Sequence, residues 1–257
     1  PGPCRAVTVI DTCTWMGHWG SLAVPGEPAE VVDMAVGAGA THVVLSSLNG
    51  VWAHSPHPAN DAVDDVAEAD ARVLPAPVID PTVTTWEEEL QRSVERAAPL
   101  VRWLPAYAGF EMNAADDWVR AIGQADRVLW VQTRLEDPRR QHPRAVVPDV
   151  NATEVVELAC RHPEVAIVLG GAPWKAVLDL APKILSLPRC YADTSQVDGM
   201  DSVMRLVDAG LASRLLYGSH APLFMPLAAL ARVIIDLEAG PAHLILHDNA
   251  SSLFRLD

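Results

Sequence analysis

Short β-branched segments alternate with longer amphipathic segments along this 257-residue chain, as in βα units around a parallel sheet. The strand candidates are residues 7–11, 42–48, 73–79, 101–105, 128–134, 165–170, 190–194 and 215–219. A helix candidate follows each strand, and residues 242–254 add one more. An open doubly wound sheet has fewer strands and a glycine-rich first turn. The pattern therefore predicts one α/β domain over residues 1–257, a (β/α)8 TIM barrel with an extra C-terminal helix.

The composition limits the kinds of partner. With 19 basic and 33 acidic residues, the net charge of -14 repels phosphate groups, so we expect no nucleic-acid partner and no membrane partner. No apolar run approaches the roughly 18 residues of a membrane-spanning helix. The four cysteines lack CxxC spacing, which favours reduced thiols. We expect a cytoplasmic protein with a small-molecule substrate, and the sequence leaves a homo-oligomer open.

Histidines are concentrated at one predicted end of the barrel. Segments that follow the strands of such a barrel form its active-site end. The histidines in these segments are His18, His54, His57, His142 and His220. Because imidazole titrates near neutral pH, this bias predicts an acid/base site at that end. The remaining histidines, His42, His162, His243 and His247, are expected to be structural or surface residues.

Five stretches, taken in order, resemble the amidohydrolase-related family, in its decarboxylase and lactonase branch. They are residues 10–17, 168–171, 191–195, 216–222 and 246–250. A turn at residues 17–20 makes the chain more similar to an uncharacterised subgroup of that family. The resemblance implies a TIM barrel that acts as a hydrolase or lyase.

The metal ligands of that family are replaced at the matching positions. The first-strand histidines correspond to Cys13 and Trp15, the fifth-strand histidine to Gln132, the sixth-strand histidine to Gly171 and the eighth-strand aspartate to His220. Catalytic zinc usually has three protein ligands, and these positions offer two. We therefore expect no metal and no cofactor. The alternative is a rebuilt zinc site of Cys13, His220 and a loop histidine.

The first and eighth strands are neighbours in a closed barrel, so Cys13 and His220 are expected to approach each other. A thiol beside an imidazole can become a nucleophile. The alternative is that Cys13 fills the barrel as a small apolar residue. His220 is the predicted general acid or base, or else a hydrogen-bonded loop histidine. Asp193 would orient His220 or cap the following turn.

The long loop after the fifth strand is the main candidate for substrate binding. Arg134, Arg139 and His142 offer charge and donors for a carboxylate or enolate oxygen, although an internal Arg–Asp ion pair would also order the loop. Aromatic residues after strands predict an aromatic-walled pocket. Its candidates are Trp15, Trp19, Trp52, Tyr107 and Phe110. The other binding candidates are His18, Asn49, His54 and Gln132.

These patterns predict a metal-independent enzyme that performs acid/base chemistry on a small anionic or carbonyl-containing metabolite. Hydrolysis, lysis and isomerisation or cyclisation all remain open. One alternative is a hydrolase with the rebuilt zinc site. Another is a barrel without catalytic activity that binds a metabolite or supports a partner subunit, since fold alone does not decide function.

Overall fold

The computed structural model describes residues 8–20 and 22–256. Within these residues, eight parallel strands alternate with helices. The strands are β1 (Ile10–Met16), β2 (His42–Ser47), β3 (Val73–Pro75), β4 (Leu100–Trp103), β5 (Val128–Gln132), β6 (Ile167–Gly170), β7 (Cys190–Asp193) and β8 (Leu215–Leu216). The α-helices are α1 (Pro28–Gly37), α2 (His57–Ala69), α3 (Trp86–Glu95), α4 (Pro105–Ala108), α5 (Asp116–Gln124), α6 (Ala152–Arg161), α7 (Trp174–Ser186), α8 (Ser202–Asp208), α9 (Pro226–Ile234), α10 (Ala239–His243) and α11 (Asn249–Phe254).

The strands close into a barrel through two single bridges. Strands β1 to β3 form one parallel sheet and β4 to β8 form another, each in sequence order. A parallel bridge between Val78 and Arg102 joins the segment after β3 to β4. A second, between Thr14 and Ala221, joins β1 to the segment after β8. The predicted (β/α)8 TIM barrel is therefore confirmed, and its apolar core lies between the strands and the outer helices.

Strand β1 extends further than the pattern predicted. The predicted strand spans residues 7–11, of which Val7 lies outside the described residues, whereas β1 continues to Met16. Its register with β2 shifts between Asp11 and Thr14. Between those points the backbone pairs on its other side: Thr12 N–H donates to Tyr217 O at 2.9 Å, and Cys13 O accepts from His220 N–H at 2.8 Å. This irregularity brings the first-strand motif against the segment after β8.

The predicted closing helix is divided into three parts. Between α10 and α11 lies a π-helical segment, Leu244–Asp248. The Asn249 side chain donates to Ala212 O at 2.8 Å and to Leu215 O at 2.7 Å, which holds this region against the start of β8. Within the described ranges, no helix combines the length and apolarity that a membrane span requires.

Candidate active site

Arg102 fills the interior of the barrel, a position that the sequence analysis did not select. Its side chain on β4 is fully buried. Nε donates to Ser46 Oγ at 2.9 Å, Nη1 to Gln132 Oε1 at 3.2 Å and Nη2 to Thr12 O at 3.2 Å. Burial lowers the pKa of the guanidinium from its ordinary value. Strands β1, β2, β4 and β5 thus supply its position and its hydrogen-bond partners.

Two indole rings also pack against the same guanidinium. Its central carbon lies 4.8 Å from the Trp15 ring centroid and 4.6 Å from the Trp130 ring centroid. Cation–π attraction is strongest for tryptophan and increases when the cation is desolvated. The predicted pocket residue Trp15 is therefore a fully buried packing partner of Arg102.

Two buried carboxyl groups lie within electrostatic range of Arg102. Burial raises the pKa of Asp11 and the pKa of Asp193 to about 6 each. Asp11 Oδ1 accepts from Ser219 N–H at 2.8 Å, and Asp193 Oδ1 accepts from Gly171 N–H at 2.8 Å. These carboxyls, with Cys13 and His220, surround the arginine; we call this set of five residues the buried centre.

Cys13 and His220 meet as predicted, with 3.3 Å between Sγ and Nδ1. Burial raises the pKa of the Cys13 thiol to about 12 and lowers the pKa of the His220 imidazole to about 4. Both shifts keep the proton on sulfur at neutral pH, since burial disfavours each charged form. The pair is therefore a neutral thiol–imidazole hydrogen bond in this conformation.

His220 is oriented by a carbonyl rather than by Asp193. Its Nε2 donates to Leu135 O, which assigns Nδ1 as the acceptor for the Cys13 thiol. The side-chain nitrogen of Gln196 lies 3.2 Å from His220 Nε2. Asp193 instead holds the Gly171 amide. His220 has φ of 61°, a left-handed conformation uncommon for residues other than glycine.

An open cavity of about 430 Å³ lies at the carboxyl end of the barrel, beyond the buried centre. Its walls come from the segments after β5, β7 and β8 and from α9. They include three arginines and two aspartates. The lining residues are Arg134, Asp137, Pro138, Arg139, Ser195, Gln196, Asp198, Phe224 and Arg232. We call this the arginine cavity; its volume is typical of a small-molecule site.

Ion pairs within the loop after β5 position two of its arginines. Arg134 Nε donates to both carboxylate oxygens of Asp149, at 3.0 and 2.9 Å. Arg139 Nε donates to Asp137 Oδ1 at 2.9 Å. The hydrogen bonds from Arg139 lower the pKa of the Asp137 carboxyl to about 2. The internal Arg–Asp ion pairs that the sequence analysis gave as an alternative are therefore present, and both arginines still line the cavity.

The other predicted binding residues lie outside the arginine cavity. Gln132 is buried beside Arg102, and Tyr107 packs on Trp19 and Trp52 with ring centroids 5.9 and 5.0 Å away. Phe110 packs against Trp103 and Trp118.

The polar binding candidates are also engaged elsewhere. Asn49 Oδ1 accepts from His18 N–H, and His142 Nδ1 accepts from Arg144 N–H. His54 is exposed. Among the described residues that line the cavity, Phe224 alone is aromatic.

Sequence reasoning missed Arg102, Gln196 and Arg232. The signal for Arg102 was present, because an arginine in the apolar strand Leu100–Trp103 requires buried partners. Gln196 and Arg232 carried no local signal. They reach the site because β7 ends near this opening and because the Arg232 side chain extends to it from α9.

The chain is similar to several solved barrel structures. One is an uncharacterised TIM-barrel protein from Bordetella bronchiseptica, with 14% identity, a TM-score of 0.73, and coverage of 96% of this chain and 98% of that one. Another is 5-carboxyvanillate decarboxylase from Sphingomonas paucimobilis, with 13% identity, a TM-score of 0.74, and coverage of 98% and 100%. The chain has the TIM-barrel fold of these proteins. At 13–14% identity, structural similarity shows the fold alone, and this fold is the TIM barrel that the sequence resemblance implied. No family model and no curated protein matches the sequence.

Manganese is present in some of these similar structures. Dihydroxybenzoic acid decarboxylase from Polaromonas sp. JS666 has 13% identity, a TM-score of 0.73 and coverage of 97% of each chain. That enzyme was crystallised with manganese and the inhibitor 2-nitroresorcinol, and other decarboxylase structures in the set also contain manganese. These findings contradict our expectation that the chain takes no cofactor, and that expectation is withdrawn.

The family's ligand positions in this chain do not fit a manganese ion. Manganese prefers carboxylate, carbonyl and water oxygens, whereas those positions supply a thiol, an imidazole and one amide oxygen, from Cys13, His220 and Gln132, and that oxygen already accepts from Arg102 and Trp130. Arg102 Nη1 lies 3.9 Å from Cys13 Sγ and 3.2 Å from Gln132 Oε1, so a fixed cation already lies between these groups. Within the described part of the chain, no loop histidine joins Cys13 and His220 in a three-donor group.

Proposed function

We propose that the protein is an enzyme of amidohydrolase type that removes or transforms the carboxylate of a small, partly apolar acid bound in the arginine cavity. The observation that carries this proposal is the set of three arginines around one opening at the carboxyl end of the barrel. Active sites of such barrels lie at that end. A guanidinium matches the planar geometry of a carboxylate and stays charged at neutral pH.

The lining suggests how a substrate would be oriented. The arginines would hold the carboxylate, while the Phe224 ring offers an apolar face to the rest of the molecule. Ser195 and Gln196 add neutral hydrogen-bonding groups on the same wall. A small aromatic hydroxy acid has this combination of charge, ring and hydroxyl. Decarboxylases that share the fold act on molecules of that kind, as the names of the Sphingomonas and Polaromonas enzymes state.

Among the reactions that remained open, we favour carbon–carbon lysis. In a decarboxylation the bond from carbon to the carboxylate breaks, carbon dioxide leaves, and a proton replaces it on the substrate carbon. His220 is the proposed proton-handling group behind the cavity wall, next to Gln196. Its Nε2 proton would move from Leu135 O to the substrate carbon while Nδ1 takes the Cys13 thiol proton, and water would then return a proton to Cys13. Its left-handed backbone supports this role, because outliers of this kind concentrate at active sites. Cys13 would act through His220, by occupying its Nδ1.

A second candidate is a barrel that binds an acid without transforming it. This candidate is favoured by the burial of Cys13 and His220, each with 0% of its surface exposed. Catalysis would require the Gln196 side chain to move aside, whereas binding requires no such movement. Both candidates place the ligand in the same cavity.

The test is a panel of hydroxybenzoates and other small aromatic acids, assayed with the full chain in buffer containing Mn²⁺. Carbon dioxide release and the melting temperature are measured for each compound. We expect release with at least one acid, and a KM at least tenfold higher in Arg232→Gln, because about 1.4 kcal/mol of binding corresponds to tenfold. Arg120→Gln is the control, since Arg120 is exposed and pairs with Asp117 outside the cavity.

The outcomes separate the two candidates. A ligand that raises the melting temperature without carbon dioxide release or any other conversion supports the binding protein and overturns the enzyme. If no compound in the panel is turned over and none raises the melting temperature, both candidates are overturned. Turnover that is unaffected by Arg232→Gln would show that the reaction takes place outside the arginine cavity.

A further inference from the structure

The π-helical segment Leu244–Asp248 brings together three side chains to which the sequence analysis gave no role. In an α-helix, residues five apart point about 140° away from each other, because each residue turns the helix by about 100°. The wider π turn, with its i→i+5 hydrogen bonds, brings such residues onto one face. His243 and His247, four positions apart, are neighbours on one face as in any α-helix, and the π turn adds Asp248, five positions from His243, to the same face.

The three side chains converge on one carboxylate oxygen. His243 Nε2 lies 3.1 Å from Asp248 Oδ1, and His247 Nδ1 lies 2.9 Å from the same atom. The two imidazole rings stack with centroids 5.4 Å apart and planes 17° apart. One donor atom of each residue lies within 4.8 Å of the other two. Across residues 8–20 and 22–256, this is the one group of three histidine, cysteine or carboxylate donors so arranged.

We propose that His243, His247 and Asp248 form a binding site for a borderline divalent cation, with Zn²⁺ as the best fit. Two imidazole nitrogens and one carboxylate oxygen are ligands that zinc takes at about 2.0–2.2 Å, and water completes such a site. The side chains are 51%, 27% and 44% exposed, so an ion and its water can enter without rearrangement of the core. Zinc is favoured over Mn²⁺ because imidazole ligands suit zinc and the general affinity order places manganese lowest.

The backbone around this helical site is held in place before any ion binds. Ile245 O accepts from Tyr217 N–H at 3.0 Å, just beyond β8. Asn249 donates to two carbonyls next to the start of β8. The two histidines are therefore fixed on a rigid element, which reduces the ordering cost of coordination. The site lies on the closing helices, apart from the arginine cavity, so it does not depend on the proposed reaction.

The test is a zinc titration of the full chain after chelator treatment, followed by competition with a chromophoric chelator. All proteins carry Cys4→Ser and Cys160→Ser, which removes the exposed Cys160 thiol and the Cys4 thiol as competing ligands. We expect one equivalent of zinc. His243→Gln and Asp248→Asn should each weaken zinc binding at least tenfold. Loss of a residue that only hydrogen-bonds to a metal ligand already weakens metal affinity about 10–100-fold, and loss of a ligand itself should do no less. Manganese should bind more weakly than zinc.

The control is His54→Gln, which removes an exposed histidine outside the group. It should bind zinc like the parent protein. Thermal melts without metal show whether each variant is folded, and added zinc should raise the melting temperature of the parent and of His54→Gln but not of the two site variants. Stoichiometric binding that survives both substitutions, or an absence of binding in the parent, would overturn the proposal.

Discussion

The buried centre and the arginine cavity both combine arginine with aspartate, but the pKa of an aspartate shifts in opposite directions in the two regions. In the buried centre, burial raises the pKa of Asp193 to about 6. On the cavity wall, hydrogen bonds from Arg139 lower the pKa of Asp137 to about 2. Desolvation dominates in the first region and pairing dominates in the second. The balance between desolvation and direct pairing with an arginine therefore decides the direction of the pKa shift in each region.

The two regions also place their arginines differently. Arg102 has 0% exposure and is held by two indoles and three oxygen acceptors. Arg139 has 83% side-chain exposure and one carboxylate partner. Removal of a buried charge leaves its partners unsatisfied, whereas water replaces the partner of an exposed one. The comparison therefore indicates that Arg102 contributes more to the stability of the fold than Arg139 does.

Arg102→Met is the strongest test of this difference. Methionine keeps the unbranched apolar stem of the side chain but removes the charge and every hydrogen bond. We expect the free energy of unfolding to fall by about 3–5 kcal/mol, as when one partner of a buried charge network is lost. Urea denaturation at pH 7 measures the change. Arg120→Met, at an exposed arginine, should change the free energy by no more than about 0.5 kcal/mol. If the two variants are equally stable, Arg102 does not organise the buried centre.

Asp193→Asn tests the difference through pH. The folded pKa of Asp193, about 6, lies above its ordinary value of 3.8, so the folded state holds the proton more tightly. The stability of the wild type relative to the variant should therefore be greatest below about pH 4 and fall by about 2–3 kcal/mol as pH rises through 6. Asparagine can still accept from the Gly171 amide. Urea denaturation from pH 4 to 7 measures the trend.

Asp137→Asn supplies the opposite case on the cavity wall. The folded pKa of Asp137, about 2, lies below its ordinary value of 3.8. The stabilisation that the ionised carboxyl gives to the folded state is therefore present above about pH 4 and is lost as pH falls toward 2. The wild-type minus variant difference should stay constant from pH 4 to 7. Parallel pH trends for the Asp193 and Asp137 variants would contradict the assignment of burial to one region and pairing to the other.

The sequence predicted the barrel because strand and helix patterns are local. It also predicted the meeting of Cys13 and His220, since neighbouring strands follow from a closed barrel. It did not predict the Arg102 site, because Trp15 and Trp130 come from strands far apart in sequence and the shifted register of β1 decides which of its residues point inward. Arg232 reaches the cavity from α9 for a similar, non-local reason.

Arg139→Gln should have the smallest effect on stability, and this result would sharpen the comparison. Because the side chain is exposed and its ion pair is screened by solvent, we expect only a small fall in the free energy of unfolding at pH 7, well below that of Arg102→Met. The same variant should raise the pKa of Asp137 back toward its ordinary value, because the hydrogen bonds that lower it are lost. Urea denaturation measures the first effect, and NMR titration of the carboxyl measures the second. A loss of stability as large as that of Arg102→Met would mean that the cavity arginines also hold the fold, and the distinction between the two regions would fail.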